Sequence, residues 1–249
     1  KQSGNRATRK FRARHKETSM KRMTWWMPGV ALCLAVTLVA SAETPTPPPD
    51  DVLKWAKAED GWQDLFAPDL SNAMMRKDGW AWEDGALVSK GRGDIWTKDR
   101  YGDFALSLEF KTQPKCNSGV FIRCDSIRDW LNTAIEVQVL QNNEDYENPK
   151  WHCGGIFDCL APASTPLKPV GEWNHYLIIA KGPDIWVYLN DTLVTHMNLD
   201  LWTEAGKNPD GTPNKFKYAY RDLKREGHIG LQFHGDPIAY RNLKIKPVK

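Results

Sequence analysis

Glu136, Arg123 and His234 are the side chains best suited to move protons or hold charge, and each lies one position away from alternating apolar residues. A carboxylate, a guanidinium and an imidazole can act as base, oxyanion-binding cation and acid or base. In a strand, successive side chains point to opposite faces. With Ile135, Val137 and Val139 turned to a core, Glu136 and Gln138 face out. With Val120 and Ile122 inside, Phe121 and Arg123 face out; with Ile229, Leu231 and Phe233 inside, Gln232 and His234 face out. Asn117-Ser118-Gly119 and the Gly235-Asp236-Pro237 turn adjoin these positions, and sites tend to sit where loops meet rigid elements. Any one of these polar residues reads most simply as solvated surface. Together, on three strands, they predict a shared site.

The elements that must position them are short strands. Phe104, Leu106, Leu108 and Phe110 alternate with Ala105, Ser107 and Glu109, and similar runs occur at 86–90, 119–124, 135–139, 175–181, 184–190, 192–197, 229–234 and 238–246. Gly, Pro, Asn or Asp clusters separate them. No long amphipathic helix is evident, and 217–226 is expected to form a short one. Asn190-Asp191 tolerates the positive φ of a two-residue hairpin turn, which accounts for the Asn-Asp-Thr sequon without a glycan. Many short antiparallel strands with no repeat predict an all-β fold, a β-sandwich of jelly-roll type with one concave sheet.

The 249 residues carry 34 basic and 31 acidic side chains, but nine of the basic and one of the acidic residues fall in the first 42. The rest has 25 basic and 30 acidic residues, a net charge of −5, which argues against a nucleic-acid partner. From Met20, a basic pair, an apolar run over 30–40 and Ala40-Ser41-Ala42 form a secretory leader, preceded by a basic extension over 1–19. Residues 1–42 are therefore expected to be extension and signal peptide, and the protein to be exported to the periplasm or the extracellular space. Beyond the leader no run is long and apolar enough for stable membrane insertion. Leu32 before Cys33 disfavours lipidation. Proline-rich 43–59 reads as an extended spacer, and the folded domain as 60–249.

An oxidising destination makes Cys116, Cys124, Cys153 and Cys159 a candidate disulfide set, with the near pairs 116–124 and 153–159 favoured among three connectivities. Their spacings lack the CxxC form of a thiolate zinc site. Ten tryptophans remain after the leader, mostly expected in the core; Trp130 and Trp151, in polar loops, are the candidates for stacking on a sugar ring. The long loops at 141–170 and 198–228 are compatible with lids or with variable surface, and the turn cluster at 207–217 suggests no chemistry of its own.

Gly61-Trp62-Gln63-Asp64-Leu65-Phe66, Trp96-Thr97, Tyr101-Gly102-Asp103-Phe104, Glu109-Phe110, Asn117 to Arg123, Glu136-Val137-Gln138, Gly171-Glu172-Trp173-Asn174, Gly230 to Gly235 and Tyr240-Arg241-Asn242 occur in this order. Together they resemble the 3-keto-disaccharide hydrolase domain family. That resemblance implies a concanavalin A-like sandwich, shaped like laminarinases, acting on glycosides oxidised at carbon 3. It also implies an oxidoreductase as pathway partner, to generate the ketone. Phe233 stands where the family has an Asp, which puts any acid role there in doubt.

Laminarinase-like enzymes use two carboxylates about 5 Å apart on one strand. Glu136-Val137-Gln138-Val139-Leu140-Gln141 offers one, which disfavours ordinary retaining hydrolysis. A 3-keto sugar can instead lose its acidified carbon-2 proton, eliminate the carbon-1 substituent and add water. Glu136 or His234 would be the base, Arg123 and Asn117 donors to the sugar oxygens, and Gln138 and Gln232 orienting groups. A divalent metal ion on Glu136 and His234 is an alternative way to polarise the ketone. A non-catalytic carbohydrate-binding module and an adhesive sandwich are the rival functions; the carbohydrate partner is common to the enzyme and the module.

Overall fold

The computed structural model describes residues 44–141 and 143–248. The leader and its extension lie outside the described residues. The strands are β1 (Gln63–Asp64), β2 (Ala73–Met75), β3 (Trp80–Glu83), β4 (Ala86–Ser89), β5 (Ile95–Thr97), β6 (Phe104–Thr112) and β7 (Asn117–Cys124). They continue as β8 (Ile135–Leu140), β9 (Trp173–Lys181), β10 (Asp184–Leu189), β11 (Thr192–Asn198), β12 (His228–Leu231) and β13 (Ile238–Pro247).

All pairings between these strands are antiparallel, in two sheets. One runs β11-β10-β9-β6-β13-β4-β3, with β1 also on β13; the other runs β2-β5-β12-β7-β8. This is the expected sandwich. Phe104, Leu106, Leu108 and Phe110 of β6 meet Val120 and Ile122 of β7, Ile135, Val137 and Val139 of β8, and Ile229 and Leu231 of β12 in one buried cluster. Alternation along each strand thus commits one face of each sheet to the core. The Asn190-Asp191 turn forms as expected, with φ of 47° and 65°, and Asn190 Nδ2 donates to the Pro166 and Asn174 oxygens. Of the short helix expected over 217–226, only a 3₁₀ turn at Tyr220–Asp222 forms. No described helix is long and apolar enough to cross a membrane.

The spacer expected over 43–59 is corrected at its second half. Asp50–Lys57 forms a helix, α1, that follows Pro49 and carries Asp50 and Asp51 in its first turn and Lys54 and Lys57 in its last, matching the helix dipole. Val52 and Ala56 bury against Ala105, Leu177, Ile179, Trp186 and Tyr188 on the outer face of the eight-stranded sheet. Trp186 Nε1 donates to the Thr46 carbonyl, so contacts to the sandwich begin before the helix.

The disulfide expectation is also corrected, because all four cysteines are buried free thiols. Cys116 precedes β7 and Cys124 ends it. At about 3.3 Å per residue a strand of that length holds its ends more than 20 Å apart, far beyond the reach of an S–S bond. Cys153 Sγ lies 3.0 Å from the Tyr176 hydroxyl, while Cys159 lies beside Tyr220. Burial pushes the thiols up to about 12 for Cys116 and Cys159 and about 11 for Cys124 and Cys153.

Candidate active site on the five-stranded sheet

The outer face of the five-stranded sheet is built in two rows. Trp96 of β5, Gly230 of β12, Phe121 of β7 and Glu136 of β8 are cross-strand neighbours. One step along, Gly119 pairs with Gln138, and Gln232 N–H donates to the Gly119 carbonyl. Asp94, directly before β5 and opposite in facing to the buried Ile95, continues this second row; its Oδ1 accepts from the Phe233 N–H at 2.9 Å. The glycines make room. A Cβ at Gly119 would lie 2.3 Å from Glu136 Oε1, and one at Gly230 would lie 2.5 Å from the Trp96 ring, so both larger side chains lie flat across the sheet.

Glu136 is 7% exposed. Burial pushes its pKa from 4.5 up to about 8, with Lys215 opposing the rise, Asp94 adding to it and a Gln232 hydrogen bond opposing it. Gln138 Nε2 donates to Asn117 Oδ1 at 2.9 Å. The Oε1 atoms of Gln138 and Gln232 are buried and have no hydrogen-bond partner among the described residues. Two orphaned acceptors beside a buried carboxyl suit a ligand rich in hydroxyl donors, since leaving such groups unpaired is costly.

The other side of Glu136 is apolar. Phe121, Trp130, Leu131, Ala134, Phe216 and Tyr220 line a shallow recess against it, too narrow to hold a water molecule. Trp96 stacks on Phe121 at 5.0 Å, and Trp130 packs on Phe121 at 4.7 Å. A short helix, α2 (Trp130–Thr133), presents Trp130, and Asn132 Oδ1 accepts from the Lys217 N–H of the 198–228 loop.

The structure brings together Glu136, Gln138, Gln232, Asn117 and Trp130. His234 is exposed just beyond β12, near enough to Asp94 to lower that carboxyl electrostatically. Trp151 is set back from the recess, donating to Asp158 Oδ1 and packing 6.2 Å from Phe157.

Arg123 is not in the site, which corrects its assignment as a catalytic cation. Its φ is 52°, and the β7–β12 register shifts between His228 and Gly230, so strict alternation breaks just before it. The guanidinium points into the protein and donates to the Gly102 and Gly182 carbonyls at 2.8 Å and to Asp103 Oδ1 at 2.9 Å. Burial lowers its pKa to about 10 against the pull of Asp103.

Two charged neighbours of Glu136 escaped the sequence reading. Asp94 supplies the second carboxylate that was sought only on the Glu136 strand. Burial raises its pKa, while the Phe233 N–H, His234 and Arg76 oppose. The Asp94-Ile95-Trp96 alternation carried the signal. Lys215, from the turn cluster given no chemistry, is the other. For metal, no cluster of three or more His, Cys, Asp or Glu suited to an ion occurs among the described residues; Glu136 and His234 lack a third ligand.

Residues 55–246 match the family model described as a 3-keto-alpha-glucoside-1,2-lyase-like domain. A 3-keto-disaccharide hydrolase of Bacteroides thetaiotaomicron is 26% identical over 202 residues, covering 67% of this chain and 69% of that protein. A solved structure described as a candidate glycosyl hydrolase from Parabacteroides distasonis ATCC 8503 is 37% identical, with a TM-score of 0.72 over 75% of this chain and 99% of that one. A second of the same description and organism, 20% identical with a TM-score of 0.63, shares the fold over 82% of this chain and 99% of its own.

Proposed function

The chain belongs to the 3-keto-alpha-glucoside-1,2-lyase-like domain family, and from that membership we propose that it is a hydrolase of 3-keto-glycosides with Glu136 as its base. The observation that carries this reading is the buried Glu136 carboxyl between two unpaired amide acceptors and an aromatic recess. A carboxylate stripped of water is a stronger base than one in solvent, and a pKa near working pH suits proton transfer.

In the proposed reaction Glu136 takes the carbon-2 proton, and the C–H electron pair forms an enolate with its charge on the carbon-3 oxygen. Collapse of the enolate restores the ketone, forms the C1–C2 double bond and breaks the bond from carbon 1 to the leaving oxygen. That oxygen takes a proton, for which His234 at the rim is the available donor. Water then adds at carbon 1 and the proton returns to carbon 2, so the net change is hydrolysis. Gln138, Gln232 and Asn117 hold the sugar hydroxyls, and Trp130 offers a stacking face.

Export belongs to the same proposal and rests on the leader-like 20–42 segment. An oxidoreductase making the ketone would then act earlier in the same route. To test the function, the purified protein is incubated with a 3-keto-disaccharide and release of free sugar is followed, with Glu136→Gln as control. Release by the wild type and not by the variant supports the enzyme. Binding of the unoxidised disaccharide without turnover of the keto form replaces it with a carbohydrate-binding module.

A further inference from the structure

Lys215 lies in the 198–228 loop, yet that loop is clamped where it carries the lysine. Asp158, buried and at a φ of 59°, accepts from the Lys215 N–H with Oδ2 at 3.0 Å and from Trp151 Nε1 with Oδ1 at 2.8 Å. Its carbonyl accepts from Asn208 Nδ2, and Asn208 Oδ1 in turn accepts from Trp202 Nε1 and Asn214 Nδ2. A non-glycine residue in the left-handed region is held there only by such surroundings.

The clamp sets the ammonium over aromatic faces, 4.3 Å from the Phe157 ring centre and 5.7 Å from that of Trp151. Phe157 is tied to the catalytic strand, since its N–H donates to the Glu136 carbonyl at 3.0 Å. Rings orient a cation without neutralising it, as a carboxylate partner would. The neighbouring cations are committed: Lys150 pairs with Asp210, and Arg76 lies beside Asp94. Among the described residues Lys215 forms no ion pair, and Glu136 is within its electrostatic reach.

We propose that Lys215 is the catalytic cation that faces the carbon-3 oxygen as its negative charge develops, and that Asp158 is its positioning residue. The proposal rests on the elimination chemistry above. Abstraction at carbon 2 places charge on the ketone oxygen, and a preoriented cation stabilises that charge more than the neutral ketone. Phe157 and Trp151 then serve mainly as the platform for the ammonium.

The test separates proton removal from bond cleavage. A 3-keto-1,5-anhydroglucitol lacks the carbon-1 substituent that the reaction expels, so incorporation of deuterium at carbon 2 in heavy water, followed by NMR, reports proton transfer without glycosidic cleavage. For Lys215→Gln the expected result is a 10²- to 10³-fold loss in both carbon-2 exchange and kcat for a 3-keto-disaccharide, with KM changed little. Lys215→Arg should recover most of the loss. Asp158→Asn should lower kcat about tenfold with the same split between exchange and KM. Wild-type exchange and cleavage in Lys215→Gln would overturn the assignment and leave the proposed reaction standing. Slowed cleavage with normal exchange would move the lysine to the leaving group and also overturn it. A wild type that neither exchanges nor cleaves would refute the reaction itself, and the assignment with it.

Discussion

Replacing Glu136 by Gln should make the protein more stable at alkaline pH while removing its activity. In the fold Glu136 holds its proton up to about pH 8, against 4.5 for the free carboxyl. Between those values the folded state binds the proton and the unfolded state does not, so the contribution to stability is full below pH 4.5 and is lost as pH rises. At about 1.4 kcal/mol per pH unit, the loss by pH 8 is on the order of 4 kcal/mol. Gln has nearly the same volume and does not titrate. Groups other than Glu136 are common to both proteins, so to first order they cancel from the difference. Denaturant unfolding at pH 5, 6, 7 and 8 should show the variant gaining on the wild type at each step, by roughly 10 °C in Tm at pH 8. Parallel curves would refute the claim that burial keeps this carboxyl protonated. A wild type that gains on the variant as pH rises would mean that Lys215 and Gln232 outweigh burial. In the same window wild-type kcat/KM should climb towards pH 8, since only the ionised base takes the carbon-2 proton.

Arg123→Met should cost about 2 kcal/mol in denaturant unfolding, because it breaks two bonds from a buried guanidinium to carbonyls and an ion pair with the half-buried Asp103, yet leave kcat of the folded protein near wild type. Gly119→Ala should abolish sugar release and lower Tm, since the added methyl occupies the space of the Glu136 carboxyl. Trp130→Ala should raise KM roughly fivefold, the value of one aromatic stack, with little change in kcat. Asp94→Asn removes a charge that repels ionised Glu136, so the rising limb of the pH–rate profile should move to lower pH; a limb that stays put would show the two carboxyls to be uncoupled.

Alternation was a sufficient guide wherever the ladder is regular. It set Glu136 and Gln138 on one face of β8 and the Ile135, Val137 and Val139 set on the other, as the structure has them. It failed at Arg123, where a local register shift and a positive φ redirect one side chain, because neither feature alters the apolar pattern that a sequence displays. Asp94 was missed because it comes from a strand distant in sequence and adjacent only through β12 pairing. Helix α1 is too short to show a clear period and gains its stability by docking on the outer sheet face, a tertiary contact. Pairing the cysteines by nearness in sequence ignored the strand that holds Cys116 and Cys124 apart.

The two carboxyls of the site are raised by the same cause and separated by different neighbours. Burial acts on both; Asp94 is offset by the Phe233 N–H and by His234 and Arg76, whereas Glu136, deeper on the sheet, has Lys215 and Gln232. Asp94 has the more offsetting partners, and its negative charge adds to the rise at Glu136. The repulsion from that charge strengthens Glu136 as a base once its proton is gone. Bringing a cation closer to Glu136 would lower its pKa and weaken it, which gives a physical reason for Lys215 to stand over Phe157 instead of against the carboxyl. From there it can respond to charge appearing on the substrate while leaving the base strong.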